Sequence, residues 1–213
     1  NIPIKAEGSY VRKALLDGVQ LDAEKGFNPF KFGVIGSSDN HNATAVGDED
    51  DFYGVSGLLD SDGQKRGSLP LDSTDNNSDL YFDRYARFGA SGLAGVWAEE
   101  NTRESIYDAM RRKETFGTSG PRLKIRFFAG HDLPLVDDDD LIAKSYSNGV
   151  SMGGNLIAED TQPFAFIAWA AKDPNSAPLQ RLQIVKGWVD AGQAHERVYD
   201  VACADGLEVD SLT

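Results

Sequence analysis

Phe30-Lys31-Phe32-Gly33-Val34-Ile35-Gly36-Ser37-Ser38-Asp39-Asn40-His41-Asn42 is the stretch on which the reading of this chain turns. Phe30 to Gly36 is nearly continuous in apolar side chains, the pattern of a strand buried on both faces in a parallel sheet. It then becomes polar without a break. Upstream, Val11, Ala14, Leu15, Val19 and Ala23 recur at helical spacing over residues 7–25, and Gly26 supplies the stop. Asn28-Pro29 turns the chain between the two. Helix, turn and buried strand together make one step of an α/β sheet or barrel. In extended backbone, residues two apart project to one side, so Asp39 and His41 converge where the strand runs out. That end of a parallel strand is where α/β folds place their sites. A carboxylate and an imidazole suit Zn, Mn or Fe. On spacing alone the pair is weak, because an Asp that caps a turn and a His with ordinary polar partners give the same pattern. It is also half a site, since a catalytic zinc takes about three protein ligands and a water.

Working outward, residues 43–95 are dense in Gly, Asp, Ser and Asn, with few apolar positions before Leu80-Tyr81-Phe82. A loop of this length is either a lid or binding loop over the strand end or an irregular surface insertion. Its acidic clusters, Asp48-Glu49-Asp50-Asp51, Asp60-x-Asp62 and Asp72-x-x-Asp75, lack the closing glutamate of an EF-hand and read as solvated loop. A second helix starts near Asn101, with Asn101 as cap and Glu104 reaching back to it. Ile106, Ala109 and Met110 form its stripe, and Arg111-Arg112-Lys113 close it where cations suit the helix dipole. Glu99 and Glu100 read as first-turn acids that stabilise this helix, or as groups that reach the strand-end mouth. Arg122, after Thr118-Ser119-Gly120-Pro121, is an anion-binding candidate or a sheet-edge ion pair. Beyond Pro121 the period changes to two: Leu123, Ile125 and Phe127 alternate with Lys124 and Arg126. Further strands are expected over 164–171, 182–190 and 196–203, with Asp137 to Asp140 a solvated loop. This gives two parts, 1–121 and 122–213, the second all-β, antiparallel and sandwich-like.

Composition sets limits on function. The 213 residues are 40% hydrophobic with 11 Phe, 7 Tyr and 3 Trp, enough for a packed core. A formal charge of −13 argues against a nucleic-acid duplex or an anionic membrane surface as partner. No apolar run approaches the roughly 20 residues that span a bilayer. Cys203 is the lone cysteine. It reads by default as a buried structural thiol and leaves the compartment open, although an exported or periplasmic setting would let it pair with a thiol beyond Thr213.

Ser38-Asp39-Asn40-His41 resembles the last metal motif of the PHP (polymerase and histidinol phosphatase) metallohydrolases. The segment from Trp97-Ala98-Glu99-Glu100-Asn101-Thr102-Arg103-Glu104 through Arg111-Arg112-Lys113-Glu114-Thr115-Phe116-Gly117-Thr118-Ser119-Gly120-Pro121-Arg122 is similar to the part that closes such barrels in one PHP-like branch. The whole chain, including Ile184-Val185-Lys186-Gly187-Trp188-Val189-Asp190, resembles the bacterial family called domain of unknown function 3604.

The resemblance implies an α/β then β chain. Residues 1–121 would form terminal αβ elements of a distorted TIM-like barrel with 43–95 inserted, and 122–213 an antiparallel β region. It implies two or three divalent transition-metal ions (Zn, Mn or Fe) and hydrolysis of a small anionic phosphoester or related ester. It also implies an upstream His-x-His and further ligands that this chain lacks, for His131 and His195 fall in the β region. The chain therefore reads as the C-terminal part of a longer enzyme whose N-terminal remainder is its partner, or as a naturally shortened relative. Alone it is expected to be inactive. In the intact enzyme Asp39 and His41 would be the metal-binding catalytic pair, with Asn40, Asn42, Glu99, Glu100 and Arg122 orienting ligands or binding substrate. The competing expectation is a non-catalytic, β-rich binding or structural module with an incidental Asp and His.

Overall fold

The computed structural model describes residues 10–38, 92–157 and 163–210. In chain order its elements are α1 (Val11–Lys25), β1 (Leu93–Val96), α2 (Arg103–Arg112), β2 (Thr115–Thr118), β3 (Lys124–Gly130), α3 (Leu141–Asn148), β4 (Gly149–Ser151), β5 (Ala165–Ala171), β6 (Arg181–Asp190) and β7 (Gln193–Cys203). They fall into two compact units, Asn1–Gly33 with Ile125–Thr213, and Val34–Lys124.

In the first unit, α1 forms where the periodicity predicts. Gly26 adopts φ 74° beyond its last turn and donates its N–H to Asp22 O, the left-handed stop that glycine tolerates best. The helix lies on the β6–β7 hairpin, which is antiparallel from Arg181↔Cys203 to Asp190↔Gln193 with a slip between Leu182 and Gln183. Ala191 and Gly192, at φ 47° and 77°, make the two-residue turn, whose handedness matches the strand twist. Val11, Leu15, Leu16 and Val19 meet Val185 and Gly187 along a shallow groove. At its edge Arg12 grips the carboxylate of Glu196, with Nε 2.6 Å from Oε2. The helix that the sequence groups with residues 1–121 thus packs on the C-terminal hairpin, and α1 rather than a second sheet covers that face.

The other sheet of this unit has the order β4-β3-β5. Phe128 on β3 is 1% exposed and meets Tyr146 of α3 edge-on at 5.1 Å, and Ile167 of β5 is also buried. α3 corrects the expectation that 122–213 is all β. Its serines weigh against helix in the sequence, yet the hydroxyls of Ser145 and Ser147 turn inward to Leu141 O and Ala143 O at 2.6 and 2.7 Å. Asp138 is part of its support: the carboxylate accepts from Asp140 N at 2.8 Å and from Lys144 Nζ at 2.7 Å.

In the second unit, β1 pairs antiparallel with β2 from Leu93↔Thr118 to Val96↔Thr115, so the last residues of the 43–95 insertion are strand. The cap of α2 falls one residue later than predicted. Thr102 Oγ1 accepts from Ser105 N at 3.3 Å, and Ser105 Oγ accepts from Glu100 N at 3.1 Å, so neither Asn101 nor Glu104 makes the box. Lys113, at φ 64°, ends the helix. Ala109 and Glu114 are buried, and Arg112 reaches Glu114 Oε2 at 3.1 Å.

The larger correction concerns 30–36. These residues do not form a buried parallel strand; Phe32, Val34 and Ile35 are 41%, 41% and 57% exposed. A strand hidden on both faces needs neighbours in its sheet and cover above and below. Among the described residues the sheets have only two, three and two strands, with antiparallel pairing of β1 with β2, β3 with β4 and β6 with β7, and no closed barrel.

Candidate functional site

Three glycines fix where the segment leading to Ser38 lies. A Cβ on Gly36 would collide with Leu93 O and lie 2.8 Å from Thr118 O; one on Gly117 would lie 2.5 Å from Gly36 N; one on Gly92 would collide with Ser37 O. All of these neighbours are backbone, and only a residue without Cβ permits such an approach. The contacts also give direction. Gly36 meets Leu93 and Ser37 meets Gly92, so the segment runs opposite to β1 and leaves at the N-terminal edge of that strand. β2 ends at the same edge, because Leu93 pairs with Thr118.

Asp39, Asn40, His41 and Asn42 lie outside the described residues. Arg122 is described: it is exposed, and its loop departs from the edge at which Ser38 leaves. Thr118 Oγ1 accepts from Gly120 N at 3.3 Å, and Gly120 adopts φ 128°, which together fold the Thr118–Arg122 loop back on itself. Ser37, Ser38 and Arg122 all have partners. Glu99 and Glu100 are not brought there. They follow the C-terminal end of β1, and four strand residues span roughly 13 Å between the two ends. Both are exposed, and the Glu100 N–H serves the start of α2. Trp97 is half-buried beside Phe116, with ring centroids 6.2 Å apart.

Among the described residues the other donors do not assemble a centre. His131 Nδ1 lies 3.3 Å from Pro163 O and its ring meets Phe164 edge-on, while His195 stacks on Trp188. Cys203 is half-buried rather than sealed in a core, with Sγ 3.4 Å from Glu208 O. Among the described residues no three His, Cys, Asp or Glu side chains could hold a metal ion. An ion would have to rest on Asp39, His41 and donors beyond the described residues. Among the described residues, the carboxylates held below their ordinary range are Glu196, by its hydrogen bonds from Arg12, and Asp138, by those from Lys144, both in the first unit. The described helices include none long and apolar enough to cross a membrane. One surface escaped the sequence reading, the outer face of the β6–β7 hairpin. Its signal was the alternation of Lys186 with Trp188 and of Arg197 with Tyr199.

The class these observations define is a mixed α/β chain built on small antiparallel sheets. Its residues 1–213 match the family described as Protein of unknown function (DUF3604), and the chain belongs to that family. No curated protein and no solved structure matches it.

Proposed function

We propose that the chain is the C-terminal part of a PHP-like metallohydrolase that cleaves a small phosphoester or related ester. The observation that supports this reading is the glycine-fixed approach of the Val34–Ser38 segment to Leu93 and Thr118, which brings Ser38, the residue before Asp39 in the sequence, to the sheet edge from which the Arg122 loop departs. Asp39 and His41 bind a divalent transition ion, and the remaining ligands of a centre of two or three ions come from an N-terminal remainder. When bound, Zn, Mn or Fe acts as a Lewis acid and brings the pKa of water towards neutrality. Asn40 and Asn42 orient the ligands. Arg122 meets the anionic oxygens of the substrate with its planar fork. Glu99 and Glu100, at the opposite end of β1, serve the helix dipole instead. The exposed Phe32, Val34 and Ile35 find their sheet neighbours in the same remainder, which completes the barrel.

The test is hydrolysis of a chromogenic aryl phosphate by the full-length protein. Chelation should abolish turnover and added Mn or Zn should restore it, while Arg122→Gln should raise KM more than it lowers kcat. Turnover indifferent both to chelation and to Asp39→Ala contradicts the assignment.

A further inference from the structure

Val185 and Gly187 on β6 and Glu196 on β7 face α1. Strand alternation therefore turns Lys186 and Trp188, with their cross-strand partners Arg197 and His195, to the outer face. Lys186 stands directly opposite Arg197, an arrangement of like charges that costs a hairpin stability. Other cations at this hairpin have carboxylates: on the opposite face Arg12 of α1 holds Glu196, and on the hairpin itself Arg181 pairs with Asp200 at 2.9 Å. Lys186 and Arg197 make no ion pair among the described residues, in a chain with 34 acidic residues against 21 basic ones.

Each of the two cations lies over a ring instead. Lys186 Nζ is 5.2 Å from the centroid of Trp188, and Arg197 Cζ is 4.5 Å from that of Tyr199. His195 stacks on Trp188 at 5.5 Å. A guanidinium over an aromatic ring, with no carboxylate paired to it, still presents N–H groups as the fork that grips an oxyanion in two parallel bonds. Because the rings already carry cations, the surface offers charge more than stacking. An oxyanion between the strands would turn the repulsion of Lys186 and Arg197 into a shared attraction.

We propose that this outer face binds the phosphate or sulfate group of a small soluble ligand, gripped by Arg197 with Lys186 as the second cation. The site is independent of the metal reading and uses none of its residues. The test is calorimetric titration of inorganic phosphate and inorganic sulfate into the full-length protein at constant ionic strength, with chloride as the matched control. An Asp39→Ala background removes any anion held at the proposed metal centre. Binding should weaken about five-fold or more in Arg197→Gln and in Lys186→Gln, and by less in Arg197→Lys, which keeps the charge but loses the fork. Lys172→Gln, on the same unit, should leave it unchanged. Circular dichroism identifies any variant that fails to fold, and for such a variant the Arg197→Lys result decides. Heats equal to those of chloride, or undiminished binding by folded Arg197→Gln, overturn the proposal. Heparin binding with no response to the small anions overturns it too, in favour of a polymeric partner.

Discussion

Gly117→Ala tests whether the Val34–Ser38 segment is held by backbone contact. The added Cβ would lie 2.5 Å from Gly36 N and 2.9 Å from Ile35 C, where ordinary contact begins at 3.4 Å, so the Val34–Ser38 segment must retreat by about 0.9 Å. Both neighbours are backbone, so no side chain can swing aside. Overpacking of this kind costs about 1–3 kcal/mol, from which the lower unfolded-state entropy of alanine returns about 0.4–1 kcal/mol; the close backbone contact places the cost in the upper half of its range, for a net loss of about 1–2.6 kcal/mol. For a chain of this length that is a fall in Tm of roughly 2–10 °C. Gly187→Ala is the internal comparison. Its Cβ would meet Leu16 Cδ1 at 3.1 Å, the far end of a flexible side chain, so its cost should be a small fraction of the first. Differential scanning fluorimetry of the two variants beside the parent gives the answer. If Gly117→Ala melts within a degree of both, the segment is not fixed by this approach and the positioning argument fails.

Ala191 holds φ 47° in the hairpin turn, where a left-handed alanine costs about 1–2 kcal/mol, so Ala191→Asn should raise stability by about 0.5–1 kcal/mol and shift the urea midpoint upward. A lower midpoint would mean that the turn is not of this type. Acid should loosen the α1–hairpin contact. Glu196 is held below its ordinary value of 4.5 chiefly by its hydrogen bonds from Arg12. The stabilisation is therefore present above that ordinary value and is lost as pH falls through the lower folded one. Arg12→Gln should flatten this part of the stability–pH curve; a curve unchanged in shape would show that the pair contributes nothing.

How much of this was legible in the sequence depends on the range of the forces involved. α1 was readable because its apolar positions and Gly26 are local signals, and the β6 and β7 strands because period-two alternation bounded by Ala191-Gly192 needs no knowledge of partners. α3 was not, since its eight residues include Ser145 and Ser147, which disfavour a helix interior, and its tertiary contact, Tyr146 on Phe128, is not a local signal. The apolar run at 30–36 misled for a related reason. Continuous hydrophobicity reports a demand for burial, and its satisfaction depends on neighbours the run itself cannot specify. Of the candidate site, Arg122 was singled out in the sequence only as an anion-binding or sheet-edge candidate, and its place beside the segment exit required the β1–β2 register. The separation of Glu99 and Glu100 from it was not legible either, because an antiparallel approach to β1 sends the two ends of that strand in opposite directions. The Lys186–Arg197 pairing required the register, which no single strand carries.

The most direct measurement is the metal content of the purified full-length protein by mass spectrometry of its elements, set beside Asp39→Ala and His41→Ala. The account predicts two to three transition-metal ions per chain in the parent and a clear loss in each variant, with the fold retained. Full metal content in both folded variants would contradict it and remove the basis for a hydrolase.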